Sequence, residues 1–261
     1  MIPLSQTADD VHYPETDGRP MAESDFQREP LSYAVSALRR FFADQEQVYV
    51  SGNLLIYYEQ GNPKAAVAPD VFVVRGVACH DRRTYKLWEE PKAPDFVLEI
   101  TSNSTVNEDQ GVKRGLYAWL GVEEYWQFDP TGDYLTPPLT GLRLADRNYW
   151  PISVRADDQG VLTGDSRVLG LALRVTNGVL HFHDPARSQT LLNYAELAQA
   201  REIAEQGREV AERDRELAEQ ARASAERAQQ AAEARADAEA ERRRAAEARI
   251  AELEAMLRER G

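Results

Sequence analysis

Apolar residues first recur at helical spacing after a polar lead-in that covers residues 1–22. From Pro30 onward they fall three and four positions apart, which predicts an amphipathic helix. Its stripe contains Leu31, Ala34, Val35, Leu38, Phe41 and Phe42. The next stretch, VYVSGNLLIYYEQG, holds two apolar runs that are parted by Ser51, Gly52 and Asn53. This pattern predicts a pair of strands.

Two short runs rich in β-branched and aromatic residues follow, PDVFVV at 69–74 and PDFVLEI at 94–100. Both are typical of buried strands. A helix is predicted next, with one apolar face and an end at Gly121; the face contains Val112, Leu116, Trp119 and Leu120. VEEYWQFDP predicts another strand, and residues 133–190 hold short strand-like pieces that are broken by Gly, Pro and Asp. The order of helix, strands, helix and strand predicts an α/β core with an antiparallel extension added at its end.

The last part of the chain has a different composition, rich in Ala, Glu, Arg and Gln and without proline. Ile203, Val210 and Leu217 recur every seven residues, but the heptad then fades into alanine. A weak coiled coil and a solvated single helix both remain open. The predicted organisation is therefore a lead-in at 1–22, an α/β domain at 23–190 and a charged helical tail at 191–261.

Acidic residues are in excess in both main parts of the chain. Residues 1–190 contain 18 Lys and Arg against 27 Asp and Glu, and residues 191–261 contain 13 against 17. This composition does not favour non-specific electrostatic binding to DNA or to an anionic membrane. An enzyme whose acidic site is neutralised by a metal ion is compatible with it.

Cysteine and histidine offer little chemistry. The single cysteine, Cys79, excludes an intramolecular disulfide framework and a Cys-rich zinc site. His181 and His183 share one strand face at a spacing that can chelate a transition metal, although solvated histidines are the favoured interpretation. The sequence starts without a signal-peptide pattern and contains no apolar run long enough to span a membrane, so a soluble, cytoplasmic protein is expected.

Three charged residues of the α/β region stand in unusual places. Asp70 opens an apolar strand, and Glu99 is the only charge inside FVLEI. Strand alternation puts Val97 and Glu99 on the face opposite to Phe96, Leu98 and Ile100. A carboxylate buried there must be paired, protonated or bound to a cation. Lys113 lies on the helix that follows.

Each of these residues also has a purely structural interpretation. Asp70 is placed to form a turn with Pro69, Glu99 to pair with an arginine, and Lys113 to bridge to Asp109 four residues earlier on the helix surface. Together, however, two carboxylates on adjacent strands and a nearby lysine fit phosphodiester hydrolysis. The carboxylates would hold Mg²⁺ or Mn²⁺, the metal would neutralise the phosphate and supply a hydroxide-like water, and the lysine would orient that water or stabilise developing charge.

Several stretches of this sequence resemble the Uma-two family of proposed endonucleases. They are PDVFVV, PDFVLEITSNST with a lysine in the following helix, LYAWLGVEEYWQFDP and VLGLAL. The resemblance spans about residues 13–185, and GVEEYWQFDP is its most specific part. The family belongs to the PD-(D/E)XK, or restriction-endonuclease-like, superfamily. The resemblance implies a restriction-endonuclease-like core and Mg²⁺-dependent cleavage of DNA.

The resemblance also implies roles for individual residues. Asp70 matches the aspartate of the PD motif and Glu99 the acidic residue of the (D/E)XK strand, both as metal ligands, and the main-chain carbonyl of Ile100 would complete the metal site. Asp95 also follows a proline, but it lies only four residues before Glu99 on the same strand. Asp70 is therefore the better first ligand.

The sequence departs from the superfamily pattern at the lysine. Two residues past Glu99 stands Thr101, and the resemblance implies that Lys113 on the next helix supplies the amine instead. A further acidic residue near the first helix often joins such sites. Glu15 and Glu23 are candidates by position, without an assigned role.

Three functional hypotheses follow. The first is a DNA endonuclease that uses Asp70, Glu99 and Lys113. The second is a catalytically silent nuclease fold whose helical tail forms a homo-oligomer or docks to a partner. The third is a nuclease fold that acts on RNA or on the ends of a mobile element, because nothing in the sequence distinguishes these substrates from DNA.

Overall fold

The computed structural model describes residues 11–16, 24–102 and 109–258, and the chain divides into two units, residues 1–196 and 197–261. In the first unit, helix α1 (Asp25–Phe41) precedes strands β1 (Val48–Ser51), β2 (Ile56–Tyr57), β3 (Ala66–Val67), β4 (Val71–Arg75), β5 (Tyr85–Lys86) and β6 (Phe96–Ile100). A π-helical turn (Asp109–Lys113) continues into helix α2 (Arg114–Leu120), and strand β7 (Glu124–Phe128) follows. The remaining strands are β8 (Leu139–Ala145), β9 (Asn148–Ile152), β10 (Val154–Ala156), β11 (Leu162–Ser166), β12 (Leu171–Thr176), β13 (Val179–Asp184) and β14 (Gln189–Thr190).

Three sheets arrange these strands. The central sheet has the order β1-β4-β6-β7-β8-β9, in which β6 and β7 are parallel and the other neighbours antiparallel. Strands β10 to β14 form an antiparallel sheet in chain order, and β3-β2-β5 form a small third sheet. A mixed central sheet, helices, an antiparallel extension and a long C-terminal helix confirm the predicted fold class.

The first helix begins earlier than its apolar stripe predicted. It starts at Asp25 and contains Pro30, because the carbonyl of Ser24 already accepts hydrogen bonds from the amides of Gln27 and Arg28 at 3.0 Å. An aspartate in the first turn is also favourable at the positive end of the helix dipole. Of the predicted stripe, Ala34, Leu38 and Phe42 are buried.

The predicted pairing of the two runs around Ser51–Asn53 is wrong. Strand β1 pairs with β4, and β2 lies in the small sheet between β3 and β5. The chain does not form a hairpin at Gly52, because Gly52 and Asn53 pack against the residues just before β4. A side chain on Gly52 would lie 2.3 Å from the carbonyl oxygen of Asp70, and the amide of Asn53 donates to the carbonyl of Pro69 at 2.9 Å.

Trp126 of β7 fills the space between the central sheet and the antiparallel extension. It is fully buried, and a glycine faces its ring from each sheet. A Cβ built on Gly141 of β8 would lie 2.6 Å from the ring, and one on Gly164 of β11 would lie 2.7 Å from it. Both glycines are therefore required by close approach, since no methyl group fits at either position.

Helix α3 spans Tyr194–Arg258 and forms the described part of the second unit. The heptad-spaced residues Ile203, Val210 and Leu217 are 62%, 58% and 57% exposed. Within the described part of the chain, no helix combines the length and the apolar character that crossing a membrane requires.

Replacing Gly164 with alanine is expected to lower the free energy of unfolding by about 2–3 kcal/mol, because the new methyl group overpacks the Trp126 ring. Urea unfolding followed by circular dichroism would measure it. Gly115→Ala is the matched control, since a Cβ at Gly115 has nothing within 4 Å and alanine favours a helix by up to about 1 kcal/mol. Equal effects of the two substitutions would contradict the packing argument.

Candidate active site

The pairing of β4 with β6 places Asp70 and Glu99 side by side. Val71 pairs with Leu98 in this antiparallel ladder, so Asp70 and Glu99 are the next opposed residues and lie on the same face. The Asp70 Oδ2 atom accepts a hydrogen bond from the amide of Ile100 at 2.7 Å. The Glu99 Oε2 atom lies 3.4 Å from the amide nitrogen of Asp70. Each carboxylate thus contacts the backbone next to the other.

Glu99 has no solvent exposure, and two side chains from the following helical segment bind its carboxylate. The Tyr117 hydroxyl donates to Oε1 at 2.6 Å, and the Lys113 ammonium donates to Oε2 at 3.0 Å. The carboxylate is therefore hydrogen-bonded on both oxygens, as burial of such a group requires.

Lys113 also forms an ion pair with Asp109, at 2.9 Å from its Oδ1 atom. The sequence analysis gave a Lys113–Asp109 pair on the helix surface as the structural alternative to a role for Lys113 beside Glu99. The structure contains both contacts, and it buries Asp109 completely. Neither Asp109 oxygen has a hydrogen bond of good geometry within the described residues, so the charge of Lys113 is its main compensation.

Lys113 and Tyr117 share one face of the helical segment. Lys113 ends the π-helical turn and Tyr117 lies four residues later, so both reach Glu99 from the same side. Val112 and Trp119 are 74% and 71% exposed, whereas Tyr117 is buried. The prediction that Val112 and Trp119 form the buried face is therefore wrong, and the contact of Tyr117 with Glu99 was missed.

Burial and charge shift the pKa values of the cluster in opposite ways. Burial, and then repulsion by Glu99, raise the pKa of Asp70 well above its ordinary value. Burial also raises the pKa of Glu99, although Lys113 opposes that rise. For Lys113, burial alone would lower the pKa, but the nearby carboxylates of Glu99, Asp109 and Asp70 raise it above its ordinary value. The amine is therefore a cation at neutral pH.

The donor set fits a hard divalent cation. Asp70 and Glu99 offer carboxylate oxygens, which Mg²⁺ and Mn²⁺ prefer, and a cation would relieve the repulsion that raises the pKa of Asp70. Within the described ranges, no group of three or more His, Cys, Asp or Glu residues is arranged to hold a metal. Two carboxylates are nevertheless a common protein contribution to a Mg²⁺ site, which takes its other ligands from water and phosphate.

Two further polar residues that the sequence reasoning missed lie next to Glu99. Gln127 of β7 pairs with Glu99 in the parallel ladder, and Thr101 follows Glu99 by two positions. The amide nitrogen of Gln127 and the hydroxyl of Thr101 are buried without a hydrogen-bond partner in the described part of the chain. The sequence signal for such residues is a polar residue at alternate positions of an otherwise apolar strand. Unsatisfied polar atoms at this point are compatible with a site that binds a polar ligand.

The structure separates the other acidic candidates from this cluster. Asp95 accepts a hydrogen bond from the amide of Arg75 at 2.6 Å and forms an ion pair with Lys92. Glu15 pairs with Arg83 at 2.8 Å in an exposed contact. Glu23 lies outside the described residues.

The Asp70→Asn variant is expected to be more stable than the wild type without metal at neutral pH, by about 1 kcal/mol. Burial and repulsion by Glu99 raise the native pKa of Asp70 above that of the unfolded chain, so the native state binds this proton more tightly. Wild-type stability therefore falls as pH rises from the unfolded pKa of about 3.9 through the raised native pKa. Thermal unfolding in EDTA at several pH values would measure both effects.

The same assay tests metal binding, since a ligand that binds only the native state raises its stability. Mg²⁺ or Mn²⁺ should raise the melting temperature of the wild type and of the exposed control Asp44→Asn, but not that of Asp70→Asn. An equal rise in all three proteins would show that the metal binds elsewhere.

Comparison with known proteins points to a nuclease family. The family model described as "Uma2: Putative restriction endonuclease" matches residues 4–176. A solved structure of a "putative nuclease belonging to DUF820 from Anabaena variabilis" is similar at 16% sequence identity, over 59% of this chain and 87% of that chain, with a TM-score of 0.40. Among curated proteins, none matches the sequence.

Proposed function

The chain belongs to the Uma2 family, described as "Putative restriction endonuclease", and from that membership we propose that it is a Mg²⁺- or Mn²⁺-dependent endonuclease that hydrolyses DNA phosphodiester bonds. The observation that supports the proposal most strongly is the convergence of Asp70, Glu99 and Lys113 on one face of the central sheet, with Lys113 3.0 Å from Glu99.

In this proposal Asp70, Glu99 and the carbonyl of Ile100 hold the divalent ion. When bound, the ion supplies charge neutralisation for the phosphate and a water of lowered pKa. The amide of Ile100 keeps the Asp70 carboxylate at the end of β6 through its 2.7 Å hydrogen bond. Tyr117 fixes the rotation of the Glu99 carboxylate through its 2.6 Å hydrogen bond. These contacts hold the ligands in place before substrate arrives.

Lys113 is the proposed catalytic amine. Its ammonium offers three donors, of which one is bound to Glu99, and it forms an ion pair with Asp109. A donor that Glu99 does not use is available to position the attacking water or to stabilise charge on the phosphate. Asp109 acts as a positioning residue, because its carboxylate lies 2.9 Å from the ammonium that also binds Glu99. The Lys113 side chain extends from the end of the π-helical turn that precedes α2. In this proposal it replaces the lysine of the superfamily pattern, because this chain has Thr101 at that position.

Nicking of supercoiled plasmid DNA with Mg²⁺ or Mn²⁺ would test this function. Glu99→Gln and Lys113→Gln are each expected to lower the rate by about 100-fold or more, because one removes a metal ligand and the other removes a charged donor at the phosphate. EDTA should abolish cutting by the wild type.

The matched control is Glu46→Gln, which changes an exposed glutamate and should cut at the wild-type rate. Melting temperatures would show that each variant is folded. Cutting that persists in Glu99→Gln would contradict the site. A wild type that cuts neither DNA nor single-stranded RNA, while binding metal through Asp70, would favour the silent scaffold. Cutting of RNA alone would change the substrate class.

We also propose that the helical tail associates with a second copy of this chain. The observation that favours it is the seven-residue spacing of Ile203, Val210 and Leu217, which are all more than half exposed on α3. Apolar residues at this spacing form the seam of coiled coils. Helices of adjacent copies would bury a stripe that is otherwise in water.

Replacing Ile203, Val210 and Leu217 together with glutamine is expected to convert an oligomer into a monomer, because the seam loses its apolar contacts. Sedimentation velocity of the full chain would measure the change. The control replaces Glu202, Glu209 and Glu216, which have the same spacing one position earlier, with glutamine. A wild type that sediments as a monomer would contradict this proposal and leave the nuclease proposal intact.

A further inference from the structure

A cleft lies beside helix α2, and neither Asp70 nor Glu99 lines it. It has a volume of about 750 Å³. Its walls are α2 and the tight turn between β8 and β9, and its lining includes Gly111, Arg114, Gly115, Trp119, Arg147 and Tyr149. Among the residues that the structure describes, no acidic side chain lines it. This is unusual for a chain that has 44 acidic and 31 basic residues.

Arg114 and Arg147 are exposed, and neither side chain forms an ion pair within the residues that the structure describes. By contrast, Arg82, Arg143 and Arg155 are each paired with a carboxylate. Two uncompensated guanidinium groups that face one cleft create a local positive potential on an acidic domain. Such a potential attracts an anionic ligand.

The backbone at Arg147 indicates that the arginine is kept there at a cost. Asp146 and Arg147 form the two-residue turn between β8 and β9, with φ angles of +51° and +63°. This turn favours glycine at the second position, because a side chain is strained in the left-handed region. Strained residues of this kind often have a functional role.

Trp119 gives the cleft an aromatic wall. Its side chain is 71% exposed, and its ring contacts that of Tyr58 edge to face, with 6.0 Å between centroids. Tyr58 lines a neighbouring cavity of about 700 Å³, which also contains Lys64 and Lys113. The aromatic pair therefore connects the arginine cleft with the cavity that contains the proposed catalytic amine.

We propose that this cleft binds the backbone of the nucleic acid strand beside the cleavage site, with Arg114 and Arg147 each bound to a phosphate and a base stacked on Trp119. The inference rests on the proposed nuclease function and extends its substrate site. Guanidinium groups bind phosphate oxygens in a bidentate way, and exposed aromatic rings between cationic groups are typical of strand-binding surfaces. The contact between Trp119 and Tyr58 joins this cleft to the cavity of Lys113, so a strand bound in the cleft extends toward the metal ligands.

Salt-dependent binding of fluorescein-labelled DNA of mixed sequence tests the proposal. Fluorescence anisotropy of the full chain would be measured in EDTA over a series of KCl concentrations, with single-stranded and duplex probes as separate arms. The Arg114→Gln/Arg147→Gln double variant should weaken binding of the preferred probe and reduce the slope of log K against log salt by about 2, because two phosphate contacts are lost. Trp119→Ala should weaken binding about tenfold without changing the slope.

The control double variant is Arg28→Gln/Arg155→Gln, which removes the same charge from two exposed arginines elsewhere. Its slope should equal that of the wild type. An unchanged slope in Arg114→Gln/Arg147→Gln, or an equal loss in both double variants, would overturn the proposal. Competition by polyglutamate would also overturn it if that competition depends on Arg114 and Arg147 as strongly as DNA binding does. The cleft would then be a site for acidic peptides.

Binding without metal separates this inference from the nuclease proposal. Plasmid cutting together with an unchanged slope in the arginine variant would overturn the inference and support the nuclease. Absence of cutting together with the expected loss of slope would contradict the nuclease function and support the cleft as a strand-binding site.

Discussion

A carboxyl group with no exposure to water, that of Glu99, is the constraint on which the rest of the site depends. Burial of such a group is costly unless each oxygen has a partner. Tyr117 and Lys113 supply the two partners, and Asp109 then compensates Lys113. These contacts join the helical segment to the sheet. The proposed catalytic residues therefore also pack the helix against the sheet.

The strand part of this arrangement could be predicted from the sequence. Alternation along FVLEI fixes the face of Glu99, and a proline–aspartate pair at the start of the preceding apolar run identifies Asp70 as its neighbour. The helical part could not be predicted in the same way. The apolar spacing over residues 112–120 points Val112 and Trp119 inward, but both are exposed and Tyr117 is buried instead. Nothing local in the sequence marks this choice of face, because Glu99, which Lys113 and Tyr117 bind, reaches them only in the tertiary structure.

The stretch GVEEYWQFDP makes mainly structural contacts, although it includes Gln127 beside Glu99. Gly121 ends α2 in the left-handed conformation, with φ +83°. Glu124 accepts hydrogen bonds from Arg143 and Ser166 and so links the two sheets. Burial would raise the pKa of Asp129, but the backbone amides that bind its carboxylate lower it below the ordinary value. GVEEYWQFDP can therefore be recognised from the sequence although it contains none of the proposed metal ligands. Family membership alone does not identify the chemistry for the same reason.

The position of Trp126 between two glycines has a consequence for how this domain could change over time. A smaller residue in place of the indole would leave a void that glycine cannot fill, and a larger residue at Gly141 or Gly164 would collide with the ring. Each single replacement is harmful, so only a concerted exchange at all three positions would give an alternative packing. This junction between the two sheets should therefore be resistant to gradual drift.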